Sequence, residues 1–376
     1  MKPAKIENLK YRILWNWDCR THWSVPGGAE IINSKDAFLE NFKRLVDFMS
    51  EHELNGLILW GFLRETHGGV DAAIELCEYA NDRDVRIIPG VGVNSYGGFW
   101  YTGNHEFSLD HWLAGHPELR AVGKDGKPFY WSWNKEIDPS MHTNACPSKI
   151  QMQQWHLRGV EWLFKTLPIG GVCFETGDIG TLCFCPDCRK KVSGREGEQG
   201  AVSFTDMRRT LPPLMEAAKR VAPAAWIIYA TYKLWDSPLA RLMPDLRQAM
   251  PEFAIAQWNY PHDPKNTLRD NLEEIEAFRN RIMPPFAHNI IYAAYGGHFP
   301  AHGMDGKPHY QLIARLCKRA AEMGIEGLTL YGEVSDSFDG SQKKRHNEIN
   351  YLSLQEFSNN PLLSVEEFET KYRNKL

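Results

Sequence analysis

The chain has 376 residues, of which 43% are hydrophobic and 24% are charged. This composition supplies a large buried core and indicates a globular protein. Lys and Arg number 43 against 47 Asp and Glu, which gives a net charge of −4. The near balance excludes a basic field for nucleic acid or for an anionic membrane surface. The longest apolar runs are far shorter than the roughly 20 residues that span a bilayer.

The length alone is compatible with two or three domains of about 150 residues, but α/β barrels reach this length as one unit. Residues 1–10 are polar and lack the apolar segment of a signal peptide. The default expectation is therefore a cytoplasmic protein.

Short runs rich in β-branched and aromatic residues alternate with amphipathic stretches along the chain. In chain order, the short runs predict strands at Tyr11–Asp18, Asn55–Phe62, Val85–Val93, Gly171–Asp178, Ala225–Tyr232, Ala254–Tyr260, Asn289–Gly297 and Gly327–Val334. The last four are almost continuously apolar, as are strands that are buried on both faces of a sheet.

The amphipathic stretches predict helices at Ser34–Glu51, Val70–Asp82, Ser148–Thr166, Ser203–Val221, Pro238–Met250, Thr267–Ile282, Tyr310–Met323 and Asn347–Phe357. Ser148 stands just before an apolar-periodic run and is the predicted N-cap of its helix. Strict alternation of eight strands and helices predicts an α/β protein, a (β/α)8 TIM barrel forming one domain over residues 1–376. The alternative is an open doubly wound sheet, but no glycine-rich phosphate-binding turn follows the first strand.

The segment between the third strand and its helix, residues 94–147, is unusually long. A connection of more than about 15 residues inside a compact domain is usually functional, so we predict an inserted substrate loop. The loop is enriched in aromatic residues, namely Tyr96, Phe99, Trp100, Tyr101, Phe107, Trp112, Phe129, Tyr130, Trp131 and Trp133. Rings at the mouth of a barrel are suited to stacking on sugar rings. The alternative is that many of them fill a small core under the loop.

Further aromatic and polar residues follow the predicted strands, where barrel enzymes build their active sites. Their side chains combine faces that stack on sugars with groups that bond hydroxyls. The candidate substrate-binding residues are Trp17, Asp18, Trp60, Arg64, His67, Asn94, Trp131, Trp133, Tyr232, Trp258, Asn259, Tyr295, His298 and Tyr331.

Carboxylates lie at the ends of three predicted strands: Asp18 at the first, Glu175 and Asp178 at the fourth, and Glu333 at the eighth. Glycoside hydrolysis needs a carboxyl that protonates the leaving oxygen, and usually a second carboxylate. The strand period of two turns Glu175 toward the barrel interior or mouth. We predict Glu175 as the general acid, Glu333 as its partner and Asp178 as a third catalytic candidate. The alternatives are a salt bridge between Glu175 and an arginine such as Arg64, and a bracing role for Asp178.

A run of three cysteines, Cys183, Cys185 and Cys188, follows the fourth strand, and Cys146 precedes the third helix. Four thiols of this kind can surround one cation, and we predict a structural Zn²⁺ that pins the loop. The alternatives are a disulfide and free thiols. A catalytic metal held by histidines that follow the strands, such as His298 and His302, is a further alternative. No H-x-x-x-H motif on a helix supports it, so we expect no catalytic cofactor.

Three segments resemble barrel glycosidases related to the β-hexosaminidases and α-glucuronidases, a family-20-like group. They are Cys146-Pro147-Ser148, Phe174-Glu175-x-Gly-Asp178 and the C-x-C-x-x-C run, and Asn350-Tyr351-Leu352, Glu356-Phe357 and Asn360-Pro361 add to the likeness. The resemblance implies retaining or inverting hydrolysis with Glu175 as general acid. β-Hexosaminidases carry adjacent Asp and Glu in the fourth strand, whereas Cys173 and Phe174 precede Glu175 here.

The predicted function is cleavage of a glycosidic bond in an oligosaccharide or polysaccharide. Two other classes remain open. One is a non-hydrolytic sugar-active barrel, a lyase or isomerase, with Tyr295 or His298 as the base. The other is a carbohydrate-binding barrel without catalytic activity.

Overall fold

A computed structural model describes residues 8–17, 34–128, 143–175, 183–191, 204–231, 243–259, 287–293, 308–333 and 342–376. The strands are β1 Tyr11–Trp17, β2 Gly56–Trp60, β3 Arg86–Gly92, β4 Gly171–Glu175, β5 Trp226–Thr231, β6 Ile255–Asn259, β7 His288–Ala293 and β8 Gly327–Glu333. Each strand pairs in parallel with the next, and β8 pairs with β1 to close the barrel. The predicted (β/α)8 barrel is confirmed.

Helices follow the strands as the amphipathic pattern predicts. They are α1 Lys35–Glu51, α2 Gly69–Asn81, α3 Leu109–Gly115, α4 Ile150–Thr166, α5 Pro186–Lys191, α6 Phe204–Val221, α7 Met243–Ala249, α8 Tyr310–Met323, α9 Gln342–Asn359 and α10 Val365–Lys371. The short helices α3, α5 and α10 were not predicted, and the predicted helix at 267–282 lies outside the described residues. Among the described residues, no helix has the length and apolar character needed to cross a membrane.

The predicted N-cap of α4 was wrong. The helix begins at Ile150 with Lys149 as its cap residue, one residue later than a cap at Ser148 would place it. The Ser148 hydroxyl instead lies 2.8 Å from the Cys188 sulfur and accepts a hydrogen bond from Arg209. A tertiary contact therefore takes the side chain that local preference assigns to helix capping.

The strands separate two hydrophobic cores. The interior core fills the barrel with alternate strand residues, such as Ile13, Ile58 and Ile88. The outer core lies between the strands and the helices and includes Leu14 and Leu57. Because each side chain of this size contributes about 1.5–3 kcal/mol when fully buried, burial on both faces stabilises the closed sheet.

The aromatic residues in the first part of the long loop mainly form a small core against α4. Phe99, Trp100 and Phe107 are buried, and Phe99 and Phe107 pack on Trp155 of α4 with ring centroids 5.6 and 6.1 Å apart. The Trp155 indole donates a hydrogen bond to the Glu106 carbonyl. In this part of the loop, the aromatic residues therefore fill a small core, which was the alternative to a sugar-stacking role.

We predict that Gly159→Ala destabilises the fold by about 1–3 kcal/mol, the usual cost of overpacking. A Cβ atom at this α4 position would lie 2.4 Å from the Phe99 ring. The measurement is the free energy of unfolding in urea. Gly115→Ala at the end of α3 is the matched control, because its Cβ would have no neighbour within 4 Å. Equal stability of the two variants would contradict the role of this close contact.

Candidate active site at the mouth of the barrel

Glu175 is the last residue of β4 and lies at the carboxyl end of the barrel, the end where such folds place their sites. Only 4% of its surface is exposed. Cys173 belongs to the interior core and Phe174 to the outer core, so the strand period gives Glu175 the inward phase. Burial, and then the charge of Glu175, raise the pKa of the Cys173 thiol well above its ordinary value. Cys173 is therefore an uncharged core residue beneath the carboxyl.

Aromatic rings lie across the barrel interior close to this level. Trp60 of β2 has its ring centroid 6.1 Å from that of Trp15 and 5.8 Å from that of Tyr96. Its indole occupies the space beside Gly90, where a Cβ atom would lie 2.4 Å from the ring. The side chain is almost fully buried, so Trp60 lies in an aromatic layer beneath the mouth. Its predicted contact with sugar stays a prediction.

The long loop folds back over β3 directly beside Glu175. Gly92 is the register partner of Glu175, and a Cβ atom at Gly92 would lie 2.1 Å from the Ser95 carbonyl oxygen. Tyr96 has a φ of 50°, a left-handed conformation that is unfavourable for an aromatic residue and often occurs at functional sites. Tyr96 is not among the predicted site residues, because only its backbone conformation distinguishes it from the other loop aromatics.

Two asparagine side chains near Glu175 are fully buried and make no hydrogen bond among the described residues: those of Asn94 and Asn144. The Ala145 N–H donates to the Asn94 carbonyl at 3.0 Å and joins their two segments. An unsatisfied buried amide costs about 1–3 kcal/mol, and contact of Asn94 with a sugar stays a prediction. Asn94 was a predicted site residue, whereas Asn144 was missed because the sequence gives no sign that it is buried.

Arg64 and His67, which follow β2, are buried against neighbouring elements. The Arg64 guanidinium lies 4.2 Å from the Tyr101 ring centroid and donates to Thr102 at 3.4 Å. The His67 ring packs on Phe38 of α1 with centroids 4.0 Å apart. Burial, helped by the nearby Arg64 charge, lowers the pKa of His67 to about 3. These contacts fix the loop after β2, and sugar binding by either residue stays a prediction.

The remaining predicted site residues fall into two groups. Five have described backbone at the ends of β1, β6 and β8 but side chains outside the described part: Trp17, Trp258, Asn259, Tyr331 and Glu333. In the barrel register, Trp17 pairs with Trp60 on one side and with Glu333 on the other. Seven lie wholly outside the described residues: Asp18, Trp131, Trp133, Asp178, Tyr232, Tyr295 and His298.

The four cysteines that were predicted to form one set converge beside the mouth. Their sulfur atoms all lie within 4.8 Å of one another. The sulfur of Cys146 is 3.7 Å from that of Cys185 and 3.6 Å from that of Cys188. Hydrogen bonds from Cys146 and Cys183 hold the pKa of the Cys188 thiol below its ordinary value. Hydrogen bonds with Cys183 and Cys188 raise the pKa of the Cys146 thiol, so negative charge is favoured on Cys188 and not on Cys146, and a bound metal stays a prediction.

Comparison with known proteins shows the fold. No protein-family model and no curated protein matches the chain. A β-N-acetylhexosaminidase structure matches with a TM-score of 0.57 and 12% identity over 97% of this chain and 76% of that one. A β-N-acetylhexosaminidase from Bacteroides fragilis gives 0.58 and 13% over 98% and 70%. A noncanonical maltogenic α-amylase from Thermotoga neapolitana gives 0.51 and 12% over 93% and 77%. The barrel fold that the sequence resemblance implies is confirmed.

We predict that the free energy of unfolding decreases as the pH falls from about 6.5 toward about 4. Burial lowers the pKa of His156 on α4 from 6.5 to about 4, and that of His67 falls further. Below pH 6.5 the unfolded chain binds protons at these histidines while the folded chain does not, so stability is lost. Urea unfolding at pH 7, 6 and 5 measures the effect. The pH dependence should weaken in His156→Gln and persist in the exposed-site control His111→Gln; an unchanged dependence in His156→Gln would contradict it.

Proposed function

We propose that the chain is a glycoside hydrolase that cleaves an oligosaccharide or polysaccharide, with Glu175 as the general acid. One observation carries the proposal: a buried carboxyl ends β4 at the mouth of the barrel, beside an aromatic layer. A strand that only packs has no need of a carboxyl at this position. A sugar site needs such a carboxyl together with aromatic faces.

The second carboxylate is assigned to Glu333 at the end of β8. In a closed eight-stranded barrel, β8 is halfway round from β4, so the two strand ends lie on opposite sides of the mouth. One carboxyl would protonate the leaving oxygen while the other acts as nucleophile or base from the opposite face of the sugar. Asp178 is assigned to brace this machinery. A carboxyl separation of about 5 Å would support a retaining route, and about 6.5–9.5 Å an inverting one.

The substrate class follows from the residue before Glu175. Where β-hexosaminidases carry an Asp, this chain has Phe174, which is buried in the outer core. This chain therefore has no carboxylate at this position that could assist an N-acetyl group of the substrate. We assign the second catalytic role to a carboxylate of the protein, not to the substrate, and we expect cleavage that does not require a 2-acetamido sugar. The glycosidase names of the matching structures support the reaction class.

A panel of glycans, assayed for new reducing ends and analysed by mass spectrometry, separates the candidate functions. A hydrolase adds one water for each bond that it cleaves. A lyase or isomerase, with Tyr295 or His298 as its base, would give an unsaturated or rearranged product. A binding protein would retain glycans and release no reducing ends. Either of the last two results would overturn the proposal.

We predict that Glu175→Gln lowers kcat by about 10²–10⁴-fold, because the amide cannot donate the acid proton. Binding of the glycan, measured by calorimetry, should survive. Glu326→Gln is the matched control, since Glu326 lies just before β8 at the opposite end of the barrel, bonded to His288. That variant should keep its kcat. Full activity of Glu175→Gln would rule out the assignment of the general acid.

We predict that Asn94→Ala lowers kcat/KM by about 2–10-fold, the value of one neutral hydrogen bond. The free energy of unfolding should change little, because the amide has no partner among the described residues. Asn55→Ala is the control, since the Asn55 amide bonds the Arg12 N–H and the Lys10 carbonyl. That variant should lose stability and keep its kinetics. The reverse pattern would make Asn94 a structural residue.

A further inference from the structure

We propose that Cys146, Cys183, Cys185 and Cys188 together bind one Zn²⁺ ion. The ion would link two segments: the one that follows β4 and the one that leads into α4. This structural site is separate from the proposed hydrolysis and does not depend on it. Cys183, Cys188 and Cys146 are fully buried, and Cys185 is half-buried.

The sulfur geometry fits four-coordinate zinc. With Zn–S bonds of about 2.3 Å, a tetrahedral site places its sulfurs about 3.8 Å apart. The distances of 3.6 and 3.7 Å from Cys146 to Cys188 and Cys185 agree with this value. A disulfide would need a sulfur separation of about 2.05 Å. The four sulfurs therefore surround a common centre and are not joined in pairs.

Backbone amides support the sulfurs as they do in zinc sites, where outer hydrogen bonds orient the ligands. The Val122 N–H points to the Cys183 sulfur, and the Cys188 N–H to the Cys185 sulfur, each at 3.4 Å. The Ser148 hydroxyl lies 2.8 Å from the Cys188 sulfur. These donors stabilise thiolates, which four-cysteine coordination requires because zinc displaces the thiol protons into solution.

The position of the cluster explains what the ion would do. Cys146 lies four residues before the first residue of α4, and Cys183 comes eight residues after Glu175 in the chain. The Phe184 N–H donates to the Val122 carbonyl at 2.8 Å, which joins the segment after β4 to the loop after β3. Asn144 lies two residues before Cys146. The ion would thus hold together two segments that flank the mouth of the barrel.

The test is the metal content of the full-length chain, purified under reducing conditions and dialysed against metal-free buffer. We expect about one zinc per chain by plasma mass spectrometry. Cys146→Ser and Cys185→Ser should lose the ion, and Cys77→Ala, a buried cysteine of α2 outside the cluster, should retain it. Replacement by Co²⁺ should give thiolate-to-cobalt absorption and the intense visible bands of a tetrahedral complex.

The wild-type result decides the proposal even if the cysteine variants fail to fold. Removal of the metal by a chelator should lower the Tm, and added zinc should restore it. Four thiols free to alkylation in a metal-free, stable chain would overturn the proposal. Disulfide-linked peptides from the cluster, or iron as the bound metal, would overturn it as well. None of these measurements depends on hydrolytic activity, so failure of the zinc site and failure of the proposed function are distinguishable.

Discussion

Filling the inside of a closed parallel barrel is the constraint on which the other features depend. Side chains from alternate residues must occupy the interior without a void or a clash. Trp60 fills a large part of this space, and Gly90 on the next strand gives it room. Trp60 is the last residue of β2, so the aromatic layer lies at the carboxyl end of the barrel. Glu175, the last residue of β4, lies at the same end, and the packing of the interior therefore sets the surroundings of the proposed acid.

The architecture could be predicted because the hydrophobic periods of its strands and helices are local features of the sequence. Strand and helix patterns are visible within ten to twenty residues, and parallel pairing of successive units then leaves few topologies. The cysteine set could be predicted in part for the same reason, since three of its thiols lie within six residues and the fourth lies just ahead of a helix. Glu175 was identifiable because a carboxyl interrupts an otherwise buried strand.

Other features depend on contacts between distant segments, which no local pattern reports. The sequence pattern predicts a helix cap at Ser148, yet the hydroxyl of Ser148 contacts Cys188, 40 residues away. The aromatic residues of the loop predict a surface that stacks on sugars, yet Phe99 and Phe107 pack on Trp155. Burial of Asn144 also depends on how two segments meet. In each case the sequence shows the type of side chain, but it does not show which distant residue that side chain contacts.

The contact between Phe99 and Gly159 also limits how this barrel can be modified. Loops at the mouth of such barrels are commonly treated as exchangeable modules on a constant scaffold. Here the first part of the loop after β3 shares its core with α4, whose surface is notched at Gly159 to receive the ring. The exchangeable unit is therefore loop plus helix, and a graft that moves the loop alone would leave both partners with exposed apolar surface.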